Sequence, residues 1–583
     1  MNHRQIGNNI YDKELNLEIM ENIGNYKLNN EGNINKFYNI ERCEMKLSLR
    51  KKKINDKIFK RRKIDIQNYN NQKFNFDKFI LLNDSFINLI SSIKLECKNE
   101  DNIILLLVKM TYIIEQKFKF LNQDITHNIY NFTSDDLINN NWIENLYNLA
   151  KMYLNSPKVI LYLTRLLLNS CILIITDLES DEIDNKLYDE KETLNKAGYF
   201  ISADKYTDIY NKIFEIYVDN YQIIYNMIIF IGQIAKNQKS NQDTLYYGGT
   251  LRKIIDSIDI EKESLKLLEE KIWCLSKFDE DKIYENNSEL ALKVQTIYIN
   301  IFMNQQKYEL FRDINTEMDE NNFLNNYLQL IANSCACTEN LFIENILKSN
   351  ILENLMDNFI NKDPKLINLI VDILMNMTNS NSDLLKRLIN IGVVKFLISI
   401  ITDKCLPLYL RKVSFVPINN LFSDSQVWNI VLFEQKMIKT ICNLLNNNDI
   451  ESGIFGEICF GFLNLINYCD NNNLNDIIDN YFIIQLICKA MKHIIYNENR
   501  EKERHLSCLY FCSLILSFIS INDDNLIKKI IYLFQKSGGE ELLDMILCSY
   551  SNMDLENKSI DTKKEITDIL NYVETIKVKI KDL

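Results

Sequence analysis

The chain has 583 residues, of which 46% are apolar, and a formal net charge of −12. It contains only 4 prolines and 13 glycines, and this scarcity of turn formers argues against an all-β fold. Such a length indicates either several domains or a repeat array, in which each repeat buries its apolar face on the next.

The first part of the chain, residues 1–75, is polar and predicts a mostly disordered arm. Its segment from Glu41 to Lys63 carries eleven Lys or Arg residues and three Asp or Glu residues, although the whole chain is acidic. We expect this basic arm to bind an acidic partner or the acidic body of the chain. Direct binding of nucleic acid is not expected, because the acidic body would repel phosphate.

From residue 78 to residue 583 the sequence predicts one helix after another, with a polar insert loop near residues 179–205. A repeat is visible within this region, because similar helical contexts recur at spacings of 44, 56, 43, 43 and 45 residues. A repeat of about 43 residues is typical of armadillo and HEAT arrays, which have two or three helices per repeat. Counting outward predicts about ten repeats, with extra residues in the second interval near 279–287 or 313–320. The positions that define the spacing are Gln233, Lys277, Asn333, Asn376, Asn419 and Asn464.

A second pattern supports the same repeat. Sixteen residues after these positions, except Lys277, we expect a helix break before the next repeat, at Gly249, Ser349, Gly392, Gln435 and Asn480. Two residues further on the sequence is always apolar, and it is apolar again four residues later, which predicts a buried helix face. The first apolar position of each pair is Leu251, Ile351, Val394, Met437 and Phe482.

Fourteen cysteines lie mostly in apolar helical stretches, and the N-terminus does not resemble a secretory signal, which favours a reducing compartment. His505, Cys508 and Cys512 share a helix face but are better explained as buried core than as metal ligands, because no second ligand pair lies nearby. The sequence shows no phosphate-binding glycine loop, and its four histidines have no triad-like spacing. We therefore expect no enzyme activity, cofactor, metal or membrane span.

The N-terminal arm resembles the importin-beta-binding segment of importin alpha. Residues 44–53 read EMKLSLRKKK and residues 60–63 read KRRK, with acidic Asp56 between them. The repeats are similar to that family as well: residues 229–235 with 247–249 resemble its third repeat, residues 273–277 its fourth, and residues 537–539 the entry to its tenth. The resemblance implies an all-α fold, a right-handed superhelical solenoid of about ten armadillo repeats with a flexible basic N-terminal arm.

In that family each third helix carries a Trp and, four residues later, an Asn, and this ladder holds basic nuclear-localisation signals. The resemblance therefore implies a cargo groove, although Lys277 would repel a basic peptide, and Gln329 and Asp372 stand where the family has Trp. Peptide binding should survive best at repeats six to eight. Alternatively, the Asn residues bridge helices, and Trp273 packs in the core. The implied groove residues are Ile229, Gln233, Trp273, Lys277, Asn333, Asn376, Phe415, Asn419, Phe460 and Asn464.

The arm segment 41–66 would bind importin beta, occupy the groove in cis, or serve only as a signal for the protein's own import. The function implied is a nuclear-import adaptor of cytoplasm and nucleus, with recycling by an export receptor left open. The alternative is an armadillo scaffold outside transport, in which the basic run is incidental. The arm residues implied are Lys46, Leu49, Arg50, Lys51, Lys52, Lys53, Lys60, Arg61, Arg62 and Lys63.

Overall fold

The fold is all-helical within the part of the chain that the structure describes, and this confirms the predicted class. The predicted arm and its segment 41–66 lie outside that part. In a computed structural model, the described residues are 99–120, 137, 141–184, 204–237, 239–278, 288–305, 323–336, 340–359, 364–447, 450–497, 501–551, 553 and 560–582.

The described residues divide into two compact units, with the boundary between Leu410 and Arg411. We call them the N-terminal and C-terminal units and describe each by itself. The helices of the N-terminal unit are α1 (Glu100–Phe120), α2 (Trp142–Met152), α3 (Pro157–Asp184), α4 (Asp204–Ile216), α5 (Tyr221–Asn237), α6 (Lys239–Tyr247), α7 (Thr250–Asp256), α8 (Leu265–Leu275), α9 (Ser288–Met303), α10 (Phe323–Cys335), α11 (Asn340–Lys348), α12 (Ile351–Phe359), α13 (Pro364–Met377), α14 (Ser382–Asn390) and α15 (Val393–Thr402).

Helix α16 (Leu408–Val413) contains the boundary between the units. A π-helical turn, Ile430–Glu434, also belongs to the C-terminal unit. The α-helices of that unit are α17 (Phe415–Phe422), α18 (Met437–Asn446), α19 (Ser452–Ile466), α20 (Asn471–Tyr481), α21 (Ile483–Asn497), α22 (Glu501–Phe518), α23 (Asp524–Lys536), α24 (Gly539–Ser551) and α25 (Ile560–Asp582).

One helix of each repeat packs against its counterparts in the neighbouring repeats, and we call these the third helices. In the N-terminal unit α1, α3, α5, α8, α10 and α13 pack in this order. In the C-terminal unit α17, α19, α22 and α25 do the same. These ten helices within the described residues agree with the predicted number of repeats. A third helix inside either series has such a neighbour on two sides, which buries much of its surface.

In six repeats the first and second helices meet at a residue with positive φ. This residue is Gly249, Gly392 or Gly538 in three repeats, with φ of 80°, 96° and 76°, and glycine adopts this conformation without steric cost. Asn350, Lys436 and Phe482 take the same place in three others. The predicted helix break therefore exists, but it lies inside a repeat, between α6 and α7 for example, and not between two repeats.

The register of the predicted break is wrong at its last position. Asn480 is inside α20, and the left-handed residue is Phe482, with φ of 52°. As a result Phe482, which was predicted to be buried, is 60% exposed, and Ile483 is buried in its place. The other four residues of that set, Leu251, Ile351, Val394 and Met437, are all buried as predicted.

The predicted insert loop at 179–205 is helical at both ends, because α3 runs to Asp184 and α4 begins at Asp204. Residues 185–203 lie outside the described part of the chain. So do 279–287 and 313–320, where extra residues of the long repeat were expected. Among the described helices, none combines the length and the apolar character that a membrane crossing needs.

A buried ion pair holds the turn before α8. Lys271, only 2% exposed, donates to the carbonyl of Ser257 at 2.7 Å and contacts the Glu263 carboxylate. Burial raises the pKa of Glu263 and lowers the pKa of Lys271, because both charges have lost water. The second carboxylate oxygen of Glu263 is buried and accepts no hydrogen bond from the described residues. The two charges stabilise the turn only as a pair, because either one alone would be buried without a compensating charge.

We expect Lys271→Met alone to lower the free energy of unfolding by about 3 kcal/mol, because it leaves Glu263 buried without its cation. Adding Glu263→Gln removes the stranded charge and should restore most of the loss. Denaturant unfolding of both variants tests this. Equal destabilisation in the single and the double variant would show that the pair is not coupled.

Candidate functional site

The first predicted groove residues lie where α5 meets α8. Ile229 and Gln233, on α5, are half-buried. Trp273, on α8, is only 7% exposed because its ring lies directly on Gly232. A Cβ atom at Gly232 would stand 2.2 Å from Cζ3 of that ring, so a larger residue would push the two helices apart. Trp273 is therefore a packing residue of the α5–α8 contact, which was one of its two interpretations.

Lys277 follows α8 and folds back along the same surface. Its Nζ lies 5.7 Å from the centroid of the Trp273 ring and donates to Oδ1 of Asn326 at 3.3 Å. Asn326 belongs to the next third helix, α10, and also accepts a hydrogen bond from the Ser276 hydroxyl at 3.2 Å. The Lys277 side chain is thus positioned by both α8 and α10.

Asn333 and Asn376 occupy equivalent positions on α10 and α13, and both are half-buried. Nδ2 of Asn333 donates to the carbonyl of Phe278 at 3.3 Å, and Nδ2 of Asn376 donates to the carbonyl of Ala332 at 3.0 Å. In each case the acceptor lies in or just after the last turn of the preceding third helix. Because Phe278 follows Lys277 and Ala332 precedes Asn333, these bonds place the three predicted positions on consecutive rungs.

The residues four positions before these asparagines are polar, as the sequence indicated. Nε2 of Gln329 donates to Oδ1 of Asn333 at 2.9 Å, so the side-chain oxygen of Asn333 already has a hydrogen-bond donor. Asp372 accepts a hydrogen bond from Asn368 at 2.9 Å and forms no ion pair within the described residues. Burial raises the pKa of Asp372. A half-buried carboxylate without a cation is a surface that favours a positively charged ligand.

In the C-terminal unit, Phe415 and Asn419 are core residues of α17, 1% and 2% exposed. Nδ2 of Asn419 donates to the Glu457 carboxylate of α19 at 3.2 Å, and Oδ1 is buried against Gly461. This differs from the expectation that both side chains face a groove. Gly461 is the physical reason, because the missing Cβ leaves a recess that only a side chain turned into the α17–α19 contact can fill.

Asn464 and Phe460, on α19, keep the predicted exposure better. Asn464 is half-buried, and its Nδ2 donates to the carbonyl of Asn419 at 3.2 Å. This bond repeats the bridging arrangement of Asn333 and Asn376. Phe460 is 39% exposed, and its ring centroid lies 5.6 Å from that of Tyr510 on α22.

Glu457 and Tyr510 complete this surface, and the sequence argument did not single out either. Tyr510 packs over Gly456, one turn before Phe460. Burial raises the pKa of Tyr510, and the charges of Glu457 and Glu565 add to this shift. Burial also raises the pKa of Glu457, and Lys412, 4.0 Å away, opposes that effect. Tyr510 follows its neighbour Phe460 by 50 residues, so the repeat spacing of about 43 residues would not have singled it out.

The remaining predicted features give no site chemistry. His505, Cys508 and Cys512 are buried in α22, at 2% exposure or less, and burial raises the pKa of the Cys508 thiol to about 12. No group of His, Cys, Asp and Glu side chains among the described residues is arranged to hold a metal ion. The predicted arm residues lie outside the described part of the chain.

The sequence matches no protein-family model and no curated protein. Its fold is similar to that of several solved structures. One is an engineered protein, 12% identical, with a TM-score of 0.46 over 79% of this chain and 99% of that chain. Another comes from work on a phosphorylation switch controlling the interaction between cadherin and beta-catenin, 11% identical, with a TM-score of 0.46 over 84% and 88%.

A third is a designed armadillo repeat protein in complex with the peptide (KR)4, 14% identical, with a TM-score of 0.32 over 46% of this chain and 98% of that chain. All three TM-scores are below 0.5. The repeat architecture described above therefore stands on the helix packing of this chain alone.

Gly232→Ala should be destabilising, by about 2 kcal/mol, because the added methyl group has no room between α5 and the Trp273 ring. Gly456→Ala is the matched control. There a Cβ atom would make an ordinary 3.5 Å contact with Tyr510, and alanine also favours the helix. Thermal unfolding followed by circular dichroism tests the pair. Equal stability of the two variants would contradict the tight α5–α8 contact.

Proposed function

We propose that this protein is a nuclear-import adaptor that holds basic peptides along its third helices and binds importin beta through arm residues 41–66. The observation that carries the proposal is the recurrence of Asn333, Asn376 and Asn464 at equivalent positions of third helices. Each is half-buried and is oriented by a carbonyl of the preceding third helix.

Bridging does not use up these amides. A side-chain amide has two N–H donors and one carbonyl acceptor, and the bridge takes one N–H. The side-chain oxygen Oδ1 of Asn376 and that of Asn464 accept no hydrogen bond within the described residues. Each side chain therefore keeps one N–H donor and one acceptor for a ligand. An extended peptide offers the complementary N–H and C=O groups of its main chain. The bridge fixes the rotamer beforehand and so reduces the ordering cost of binding.

Charge supports a basic ligand. In the N-terminal unit Asp372 has no cationic partner among the described residues. In the C-terminal unit Glu457 precedes the exposed Phe460 by three residues on α19, and its carboxylate already has Lys412 at 4.0 Å. Carboxylates attract lysine and arginine head groups, and an aromatic face adds about 0.5–1 kcal/mol for each cation that it contacts. Asn419 and Phe415 are not included, because their side chains belong to the core.

The adaptor assignment beyond peptide binding rests on the arm motif, with its Leu49-Arg50-Lys51 core and its Lys60–Lys63 end. An adaptor of this kind would work in both cytoplasm and nucleus, as a binding protein without a catalytic step. A scaffold outside transport would share the peptide surface but would not need the arm motif. The two functions therefore differ in one testable partner.

Asn376→Ala and Asn464→Ala should each weaken binding of a labelled lysine- and arginine-rich peptide about fivefold, the effect of one lost hydrogen bond of about 1 kcal/mol. Fluorescence anisotropy of the full chain at low salt measures this. Asn379→Ala and Asn467→Ala are matched controls, because both residues are exposed near the same helix ends. Unchanged affinity in the first two variants would remove the peptide site from these positions.

A peptide of residues 41–66 should recover importin beta in a pull-down, because its leucines and basic clusters match that receptor's ligand. A peptide with Arg50 to Lys53 and Lys60 to Lys63 changed to alanine is the control and should lose it. Recovery of no importin beta by the unchanged peptide would discard the transport function and leave the scaffold.

A further inference from the structure

We infer that Lys277 occupies, from within the chain, the place that a ligand cation would take on Trp273, so that the α8–α10 stretch of the third helices is closed to basic side chains. The inference rests on the proposed function, in which basic peptides bind along the third helices. It names the part of that surface that rejects them.

Two neighbours define the surroundings of the Trp273 ring. Its ring is pressed against Gly232 on α5, where no atom fits between them. Nζ of Lys277 lies 5.7 Å from the ring centroid. Cations are attracted to an indole face within about 6 Å, so Lys277 is placed to satisfy this interaction. Trp273 as a whole is only 7% exposed.

A ligand ammonium would also need a hydrogen-bond acceptor beside the ring, and Lys277 uses that as well. Nζ donates to Oδ1 of Asn326 at 3.3 Å. Asn326 is 1% exposed, and the Ser276 hydroxyl bonds the same oxygen at 3.2 Å, so the acceptor is fixed in position. Lys277 therefore contacts the ring, and together with Ser276 it occupies the amide oxygen of Asn326.

Occupation from within the chain is effective because it is intramolecular. Lys277 follows Trp273 by four residues, so its effective concentration at the ring far exceeds that of any free peptide. A ligand lysine would have to displace it and would also meet its positive charge. On α13 of the same unit the charge has the opposite sign, because the carboxylate of Asp372 lies four residues before the amide of Asn376.

Occupation and simple repulsion can be separated by two variants. Lys277→Ala removes both the charge and the hydrocarbon stem, which uncovers the ring. Lys277→Met removes the charge but leaves a stem of similar length over the ring. If the side chain only repels, the two variants gain equally. If it also fills the place, the alanine variant gains more.

The experiment measures binding of a labelled oligolysine peptide to the full chain by fluorescence anisotropy at low salt. We expect about tenfold tighter binding for Lys277→Ala and about threefold for Lys277→Met, in the range of one cation–π contact together with the loss of like charge. Adding Trp273→Phe to Lys277→Ala should reduce the gain, because phenylalanine attracts cations less than indole does. Lys348→Ala, at an exposed lysine of α11, should change nothing. Circular dichroism confirms that each variant is folded.

The outcomes distinguish this inference from the proposed function. Unchanged affinity in Lys277→Ala, with wild-type binding that still depends on Asn376, overturns the inference alone. Binding that appears only in Lys277→Ala supports the inference and overturns the proposal that the natural chain binds basic peptides. Equal gains in the two Lys277 variants leave only repulsion and overturn occupation. Absence of binding in all variants overturns both.

Discussion

The packing of each third helix against the next is the constraint on which the rest of the structure depends. Most side chains between neighbours are apolar groups that fill the contact. Among the polar ones are amides that donate to a backbone carbonyl near the end of the preceding helix. Carbonyls near a helix end have few helical partners, although that of Ala332 also accepts from the Ala336 amide at 3.2 Å. Asn333, Asn376 and Asn464 each supply a donor there. The amides that would meet a peptide are thus also structural, and these two roles are compatible because an amide has more than one donor.

The sequence predicted the repeat well because its signal is physical and local. Burial of Leu251, Ile351, Val394 and Met437 requires apolar residues at a fixed distance from each third helix, and a left-handed junction favours glycine at Gly249 and Gly392. The pattern failed where a residue without that preference took the junction. Phe482 has a positive φ that no composition rule would assign to phenylalanine, and the register moved with it.

The candidate site was less predictable, because side-chain direction depends on what the neighbouring helix leaves free. Asn419 has the same place in the repeat as Asn376, yet it turns into the core because Gly461 on the following helix leaves a recess. The buried position of the Trp273 ring likewise depends on Gly232, forty-one residues earlier. In both cases a glycine on a different helix determines the direction of the side chain, and the residue spacing within one helix cannot predict this. Tyr510 is a third example, because it lies beside Phe460, 50 residues earlier, and the spacing of about 43 residues does not predict that contact.

The bridging bonds make the rungs interdependent. Within each unit, the side chain that a repeat presents is aimed by the backbone of the repeat before it, so a repeat does not carry its own specificity as a self-contained cassette. Duplicating, deleting or transplanting one would separate an asparagine from the carbonyl that orients it. Evolution or engineering of such an array should therefore exchange segments cut in the middle of a third helix, keeping each helix end together with the amide that follows it.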